Sequence, residues 1–238
     1  MQAVLNVEGY DGRMSSTSDR APDPRPARTR AAIFAAARAL TASDGEVTVN
    51  ALAQRAGVSR AAFYSHFNGL DDLMGAMLGQ MFQVQQARAV QLAAVGSSTQ
   101  DMVQAGAATM VAYTVRHHAF LRGALDWKFT HRTYLTLVSK LSDLHLHAIR
   151  RLGDEVPASL PVTQTARFFA GGSLDVLKQW LLDTEEAAGA GEELDGEEVT
   201  EALLRIMPSW YTGLRPEDPI PTGLVAEELL GSVLDDGA

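Results

Sequence analysis

The sequence contains no cysteine among its 238 residues. A disulfide framework and a metal site built on thiolates are therefore both excluded. The chain also lacks a run of about 18 uncharged apolar residues, so we expect no membrane-spanning helix and no membrane partner. Residues 1–20 hold no apolar segment of the kind that a signal peptide needs. These absences favour a reducing, cytoplasmic location.

Motifs that would indicate an enzyme or a metal centre are missing as well. We find no nucleophile elbow, phosphate-binding loop, dinucleotide fingerprint or H-E-x-x-H motif. His117 and His118 are adjacent, and His145 and His147 are two residues apart. On a helix, either spacing points the two rings in different directions. We therefore expect no catalytic residues, no metal and no cofactor.

Strand patterns are also missing, because no segment between turn signals alternates polar and apolar residues. Apolar residues instead recur at spacings of three and four, which predicts an all-α fold. After a fourth helix that ends near Val95, we predict helices over about 99–118, 119–130, 131–152, 161–184 and 196–213. Asp195 and Glu198 resemble a capping box for the last of these helices. The acidic segment before them is predicted to be a solvated loop.

The distribution of charge separates the two ends of the chain. The net charge is −9, yet residues 1–70 carry eight basic and six acidic side chains, whereas residues 71–238 carry twelve and twenty-three. A surface that neutralises DNA phosphates therefore belongs in the first part. The acidic second part should face away from DNA.

A pair of short helices joined by a tight turn is predicted between residues 48 and 67. Thr48 and Ser59 are suited to cap the two helices, and Gly57 supplies the positive φ that ends the first one. Phe63 and Phe67 lie four residues apart and form the apolar face of the second helix. The first helix carries its own apolar face: Val49, Leu52, Ala53 and Ala56. This arrangement predicts a helix-turn-helix.

The outward face of the second helix carries groups that suit the major groove of DNA. Arg60 can form a bidentate bond to a guanine edge, and Ala61 or Ala62 can touch a thymine methyl group. Tyr64 and His66 can donate to phosphate oxygens. A helical hairpin with glycine in its turn also occurs as plain packing, so a helical ligand-binding or interaction protein is the alternative.

The hairpin closely resembles a known signature. The pattern Thr48-x3-Leu52-Ala53-x2-Ala56-Gly57-Val58-Ser59-x-Ala61-x-Phe63-Tyr64-x-His66-Phe67-x5-Leu73 is similar to the N-terminal DNA-binding signature of the TetR family of transcriptional regulators, over about residues 28–75. The resemblance implies a homodimer that binds a palindromic DNA operator, most often as a repressor, although an activator is also possible. It further implies a small-molecule effector, whose identity it does not indicate.

We predict four segments, of which the resemblance implies the two domains and the composition indicates the arm and the tail. They are a flexible basic, Pro-rich arm at 1–26, a three-helix DNA-binding domain at 27–72, a larger helical effector-binding and dimerisation domain at 73–214, and an acidic tail at 215–238. Residue by residue, it implies phosphate contacts for Thr48, Tyr64 and His66, and groove-facing positions for Arg60, Ala61 and Ser65. Asn50 matches a base or phosphate contact, and Ser59 completes the set of DNA-binding candidates.

One position departs from the family pattern. Leu70 stands where the family usually has a lysine that contacts phosphate. The loss of that contact should flatten the salt dependence of DNA binding by about one unit of slope. Arg28 and Arg30, which adjoin the first helix, could compensate by reaching DNA. The alternative is that these arginines only keep a loose tail in solution.

The second domain contributes weaker predictions. Residues 161–184 resemble the penultimate long helix of TetR-like regulators, which would form a four-helix dimer interface with the helix at 196–213; an internal core helix is the alternative. The interface candidates are Phe168, Gly171, Gly172, Leu174, Leu177, Trp180, Leu203, Ile206 and Trp210. An effector pocket needs apolar walls with a few polar groups. The pocket candidates, each of which could equally be a core residue, are Met102, Met110, Tyr113, Phe120, Trp127, Phe129, Tyr134 and Phe169.

Overall fold

The computed structural model describes residues 25–41, 47–126 and 131–220, apart from the side chains of residues 131 and 132. Within those ranges the chain is all-helical, as predicted, and contains no strand. The helices are α1 (Arg25–Thr41), α2 (Val49–Ala56), α3 (Arg60–His66), α4 (Leu70–Ala94), α5 (Thr99–Arg116), α6 (His118–Asp126), α7 (His131–Leu152), α8 (Val162–Asp183), α9 (Glu185–Gly189), α10 (Glu197–Ile206) and α11 (Ser209–Thr212). No helix in these ranges is both long and apolar enough to cross a membrane.

The first three helices pack around one small apolar core. Ile33, Leu52 and Phe63 contribute one fully buried side chain from each helix, and Phe67 joins them just after α3. α1 contacts both α2 and α3. Full burial of a side chain of this size contributes about 1.5–3 kcal/mol. The helix that carries the DNA-binding candidates is therefore held by side chains on its opposite face.

The first helix begins two residues earlier than the sequence pattern predicts. Arg25 and Pro26 lie in the first turn of α1 rather than in the arm. A proline fits there because the N–H groups of the first turn have no helical partner in any case. The predicted arm up to residue 24, and the predicted tail from residue 221, lie outside the described residues.

The larger part of the molecule is built from α4 to α11. α7 and α8 lie along one another, and α5 contacts α4, α10 and α11. One apolar cluster forms around Met110 and Leu141, and a second forms around Ile149, Phe169 and Tyr211. The C-terminal helices are tied to α5 by the side-chain amide of Gln104, which donates to the carbonyl of Thr212 at 2.7 Å.

Two predictions about the C-terminal helices are wrong. The helix predicted over 196–213 is interrupted, because Pro208 has no N–H with which to continue the hydrogen bonds of α10. The capping box of Asp195 and Glu198 does not form. Asp195 instead accepts the backbone N–H of Glu197 at 2.8 Å, and Gly196 is the N-cap of α10 without a side-chain bond. The acidic segment predicted as a loop also contains the short helix α9.

α4 and α6 join the first three helices to the rest of the chain. α4 contributes Leu73 to the first core and Val84 to the next cluster, so one helix spans both. α6 rests on the end of α1. A Cβ atom on Gly123 would lie 2.8 Å from the carbonyl oxygen of Thr41, so only glycine fits at this contact without a shift.

Candidate DNA-binding surface and effector cavity

The turn between α2 and α3 is specified by three hydrogen-bonding devices. Thr48 caps α2 by accepting the N–H of Ala51 at 3.1 Å. Gly57 adopts φ 66° and ψ 28°, and the following Val58 N–H donates to the Ala53 carbonyl at 2.9 Å. Ser59 then caps α3 by accepting the N–H of Ala62 at 3.0 Å. The left-handed residue and the paired bonds form a Schellman-type stop, and the predicted stop and start signals are confirmed.

α3 separates an apolar face from a polar one. Phe63 and Phe67 are buried, and the Phe67 ring lies 5.8 Å from that of Phe34 on α1. On the other face the side chains of Arg60, Ala61, Tyr64 and Ser65 are exposed, with Tyr64 50% open to solvent. The structure therefore brings the groove-facing candidates together on one free surface.

The remaining DNA-binding candidates surround this face. Asn50 is exposed at the start of α2, and His66 is half-buried with its ring beside Phe67. Ser65 donates its hydroxyl to the Ala62 carbonyl at 2.7 Å, which leaves its oxygen as an acceptor. Arg28 is exposed on α1.

Arg30 occupies a more constrained position on α1 than Arg28 does. Its guanidinium carbon lies 5.0 Å from the ring centre of Phe34 and 4.9 Å from that of Phe67. Cations at this distance are attracted to the negative face of an aromatic ring. The group is thus held beside the core that supports α3, although its side chain as a whole is exposed.

The predicted interface residues divide into two sets. Phe168 on α8 is 73% exposed and Ile206 on α10 is 67% exposed, which is far more than ordinary core residues show. Leu177 and Leu203 are buried inside the chain itself, so they support the two helices from behind. Leu174, Trp180 and Trp210 are partly buried against the core clusters. A Cβ atom on Gly171 or Gly172 would meet nothing within 4 Å, so no close contact within the described chain explains these two glycines.

The predicted pocket residues are scattered. Tyr113, Phe120 and Phe169 are buried in the core clusters, and the Tyr113 hydroxyl donates to the carbonyl of Met77 at 3.4 Å. Tyr134 is exposed on α7. Trp127 and Phe129 lie outside the described residues. Of the predicted residues that the structure describes, Met102 and Met110 line the apolar cavity between α4, α5 and α7.

This cavity measures about 400 Å³ and extends to α10 and α11. Its volume is within the range of small-molecule sites. Its apolar walls include Met102, Met110, Leu141, Leu144, Leu203 and Met207. Polar groups enter from α4, α7 and α11: Gln85, Arg88, His145, Arg151 and Tyr211. Among these residues, the sequence pattern predicts Met102 and Met110 as wall candidates, and it includes His145 only in the segment from which a pocket would be built.

One of the polar groups that line this cavity is a buried histidine. His145 Nδ1 lies 2.7 Å from the Tyr211 hydroxyl, and its ring packs beside Phe169. Burial lowers the pKa of His145 from 6.5 to about 4, so the ring is neutral at pH 7. Its Nε2 atom and the Nε atom of Arg88 are buried without a hydrogen-bond partner in the described structure. Both residues line the cavity.

A second depression lies beside the start of α4. It measures about 600 Å³ and is lined by residues from α4 and α7, including Gly75, Gly79, Thr133 and Lys140. The large apolar side chains in its walls are Phe82 and Leu137. Since ligand sites are predominantly apolar, the smaller cavity is the better candidate. Within the described residues, no three His, Asp or Glu side chains are grouped as a metal would require.

The fold and this surface define an all-α protein with an N-terminal helix-turn-helix. Residues 33–77 match the model of the bacterial regulatory proteins of the tetR family. This match confirms the resemblance of the signature over residues 33–77. The described chain has the fold of a TetR-family transcriptional regulator, with a larger helical domain after the helix-turn-helix.

Solved structures extend the likeness beyond the N-terminal domain. Thermus thermophilus FadR, a TetR-family transcriptional repressor in complex with lauroyl-CoA, superposes with a TM-score of 0.58 at 20% identity, covering 82% of this chain and 100% of that chain. A Clostridium perfringens protein described as a candidate fatty acid metabolism regulator superposes with a TM-score of 0.52 at 13% identity. The alignment covers 78% of this chain and 100% of that chain. At these identities the likeness shows a shared fold alone. The sequence has no significant match among curated proteins.

Proposed function

We propose that this protein is a cytoplasmic, ligand-responsive transcription regulator, a repressor that binds a palindromic operator as a homodimer and has no enzymatic activity. The observation that carries the proposal is α3 itself. Its buried face is Phe63, and its free face presents Arg60, Ala61, Tyr64 and Ser65 between two capped ends. An α-helix of this kind fits the major groove, which is about 12 Å wide.

The charge distribution supports the same orientation. Residues 1–70 carry two more basic than acidic side chains, whereas residues 71–238 carry eleven more acidic than basic ones. The helix-turn-helix end therefore approaches phosphates, and the other end is repelled by them. Two copies of α3 would enter successive major grooves about 34–36 Å apart on one face of the DNA.

A homodimer is supported by an exposed apolar surface on α8 and α10. Phe168 and Ile206 are large apolar side chains in open solvent, and Gly172 leaves a notch on the same helix as Phe168. α8 and α10 contact each other, so we infer that these side chains contribute to one apolar patch, and such patches mark interaction sites. A two-fold axis would let the same patch cover itself on a second copy.

The effector is proposed to be a small molecule in the cavity beside His145. The FadR structure with lauroyl-CoA shows that this fold can hold an organic ligand. In the present chain α4 lines the cavity at one end and contributes to the core of the DNA-binding helices at the other. A coupling of about 1–3 kcal/mol between the two sites would change DNA affinity by about 5- to 150-fold.

The proposal is tested by selecting bound duplexes from a random DNA pool at about 150 mM salt. Wild-type protein is expected to enrich a two-fold symmetric motif. Arg60→Ala should lose or relax one position in each half-site, because a bidentate arginine–guanine pair supplies about 1–3 kcal/mol of discrimination. Arg150→Ala, which removes an exposed arginine from α7, is the matched control and should enrich the same motif.

Either of two results would contradict the proposal. If the folded protein enriches no motif with or without added cell metabolites, the hairpin is only packing and the chain is a helical ligand-binding protein. If Arg60→Ala and wild type enrich identical motifs, α3 is not the reading element.

A further inference from the structure

We propose that the cavity beside His145 binds an apolar organic anion, with its hydrocarbon body among the methionine and leucine side chains and its anionic oxygens on Arg88 and His145. This inference rests on the proposed function, since it names the chemical class of the effector. Carboxylates and phosphate monoesters share the required chemistry, and the experiment below separates them.

The cavity wall carries positive charge. The wall contains two arginines, Arg88 from α4 and Arg151 from the last turn of α7, and no carboxylate among its described residues. Neither arginine belongs to an ion pair in the described part of the chain. This is unexpected in residues 71–238, where acidic side chains outnumber basic ones by twenty-three to twelve. Arg151 is exposed, whereas Arg88 is partly buried, and a partly buried cation attracts an anion more strongly than it would in water.

Two hydrogen-bond donors of the cavity wall are buried and unpaired in the described structure. The Nε atom of Arg88 always bears a hydrogen, yet it is buried without an acceptor among the residues described. His145 is only 9% exposed, and its Nε2 atom is likewise unpartnered there. When the Tyr211 hydroxyl donates to Nδ1 across their 2.7 Å contact, Nε2 carries the hydrogen and is a donor. Buried polar atoms are almost always satisfied, so oxygens of a ligand are the natural acceptors.

The rest of the cavity defines the body of the ligand. Methionines at 102, 110 and 207 and leucines at 141, 144 and 203 line it. These side chains offer no hydrogen bonds of ordinary strength, and methionine adapts its shape to an irregular apolar partner. The wall therefore suits a hydrocarbon chain or ring system rather than a sugar or a peptide. The arginines then select the charge of its head group.

The test uses the full chain without DNA and three probes with the same hydrocarbon chain: dodecanoate, dodecyl phosphate and dodecanol. The two anions are kept below their micelle concentrations, and dodecanol is kept below its solubility limit. Affinities are measured by titration calorimetry. At least one anion is expected to bind about 10- to 100-fold more tightly than dodecanol, as charge-assisted hydrogen bonds predict. A preference for dodecanoate identifies a carboxylic acid as the effector class, and a preference for dodecyl phosphate identifies a phosphate ester.

Variants of Arg88 separate recognition from folding. Arg88→Gln is expected to remove most of the preference for the anion while the affinity for dodecanol stays unchanged. Arg88→Lys should keep part of the preference, because it retains the charge without the planar fork. Arg116→Gln removes an exposed arginine outside the cavity and should behave as wild type.

The inference is overturned if dodecanol binds as tightly as both anions, if none of the three probes binds, or if Arg88→Gln keeps the full preference. DNA binding is measured separately by the duplex selection described above, with and without the bound anion. If neither condition enriches a motif while the anion still binds, the proposed regulator is contradicted and the anion site stands, so the two failures are distinguishable.

Discussion

At the residue scale, Gly57 determines where α3 points. Its φ of 66° lies in the left-handed region, and its N–H closes the end of α2. A residue with a Cβ atom adopts this conformation at a cost of about 1–2 kcal/mol. The angle between α2 and α3 therefore depends on the backbone conformation of one residue. Steric crowding is not the reason for glycine here, since a Cβ atom at this position would meet nothing within 4 Å.

We expect Gly57→Ala to lower the free energy of unfolding by about 1 kcal/mol, through backbone strain rather than a clash. Gly75→Ala is the control, because Gly75 lies inside α4, also has no neighbour within 4 Å, and has no positive φ. That change should stabilise the protein by up to about 1 kcal/mol. Urea unfolding measures both. Equal effects of the two substitutions would contradict the strain argument.

The buried ring of His145 links stability to pH. Its pKa is about 4 in the folded protein and 6.5 in the unfolded chain, because burial disfavours the charged ring. Between pH 6.5 and pH 4 the unfolded state therefore binds a proton that the folded state does not. Stability must fall as pH is lowered through this window, and this residue contributes a loss of up to about 3 kcal/mol.

Urea unfolding between pH 7 and pH 4 tests the role of His145. In His145→Gln the loss on acidification should be smaller than in wild type, because one fewer proton is taken up on unfolding. His147→Gln, an exposed position on the same helix, controls for removing one histidine. His117, whose pKa is also lowered to about 4 by burial and by the nearby Arg38, adds to the slope in all three proteins. An unchanged slope in His145→Gln would rule out the proposed origin.

At the scale of elements, the close contact between α6 and α1 connects the first three helices to the rest of the chain. Gly123 faces the last residue of α1, with the Thr41 side-chain methyl and carbonyl both in the space that a Cβ atom would take. Phe120 and Ala124 of α6 belong to the same buried cluster as Ile33 of α1. The position of α1 is therefore linked directly to that of α6.

Gly123→Ala should separate the two helices and destabilise the protein by about 1–3 kcal/mol, as overpacking of a close contact does. Gly79→Ala introduces the same methyl group into open space on α4 and is expected to be neutral or stabilising. Thermal or urea unfolding compares them. A Gly123→Ala protein as stable as wild type would mean that α6 is free to retreat from α1.

The same scale shows why some elements are predictable from sequence and others are not. The stop at Gly57 and the caps at Thr48 and Ser59 are local signals, so the helix-turn-helix follows from a short stretch of chain. The break at Pro208 is equally local, but the apolar pattern continues across it and predicts one long helix. α8 carries apolar residues on both faces, so periodicity does not distinguish the exposed Phe168 from the buried Leu177.

The cavity depends on contacts that no local pattern contains. Arg88 and His145 are 57 positions apart in sequence and lie on different helices, α4 and α7. A signal exists only on α7, where Leu141, Leu144, His145 and Arg151 follow one helical stripe. A histidine and an arginine within such a stripe indicate a polar group facing inward, but the partner helix cannot be identified from it.

At the scale of the whole molecule, the exposed apolar positions of α8 and α10 define how two copies would meet. In a two-fold interface each residue is used twice. Phe168→Glu therefore removes two buried rings and adds two charges, and at about 1.5–3 kcal/mol per ring the dissociation constant of the dimer should rise at least about 100-fold. The fold itself should be unaffected, because Phe168 is mostly in solvent in the single chain.

Sedimentation velocity tests this prediction over a series of concentrations. Wild type is expected to sediment as a dimer where Phe168→Glu is a monomer. Thr163→Glu places the same charge at another exposed position of α8 and should remain dimeric. A wild-type monomer throughout, or a dimer that tolerates Phe168→Glu, would place the interface elsewhere.

The continuous helix α4 also limits how this protein could be recombined with its relatives. Its 25 residues extend about 37 Å, and its apolar stripe passes from one core to the next between Leu78 and Met81 without a linker. A chimera that exchanged the first three helices between two such proteins would have to join the two sequences inside α4. An insertion of one residue would rotate everything beyond it by about 100°, so only junctions that keep the helical phase would transmit a signal. In many protein families two domains can be fused at a loop of variable length. In this chain the position of the fusion is restricted to the few codons that preserve the helical phase of α4.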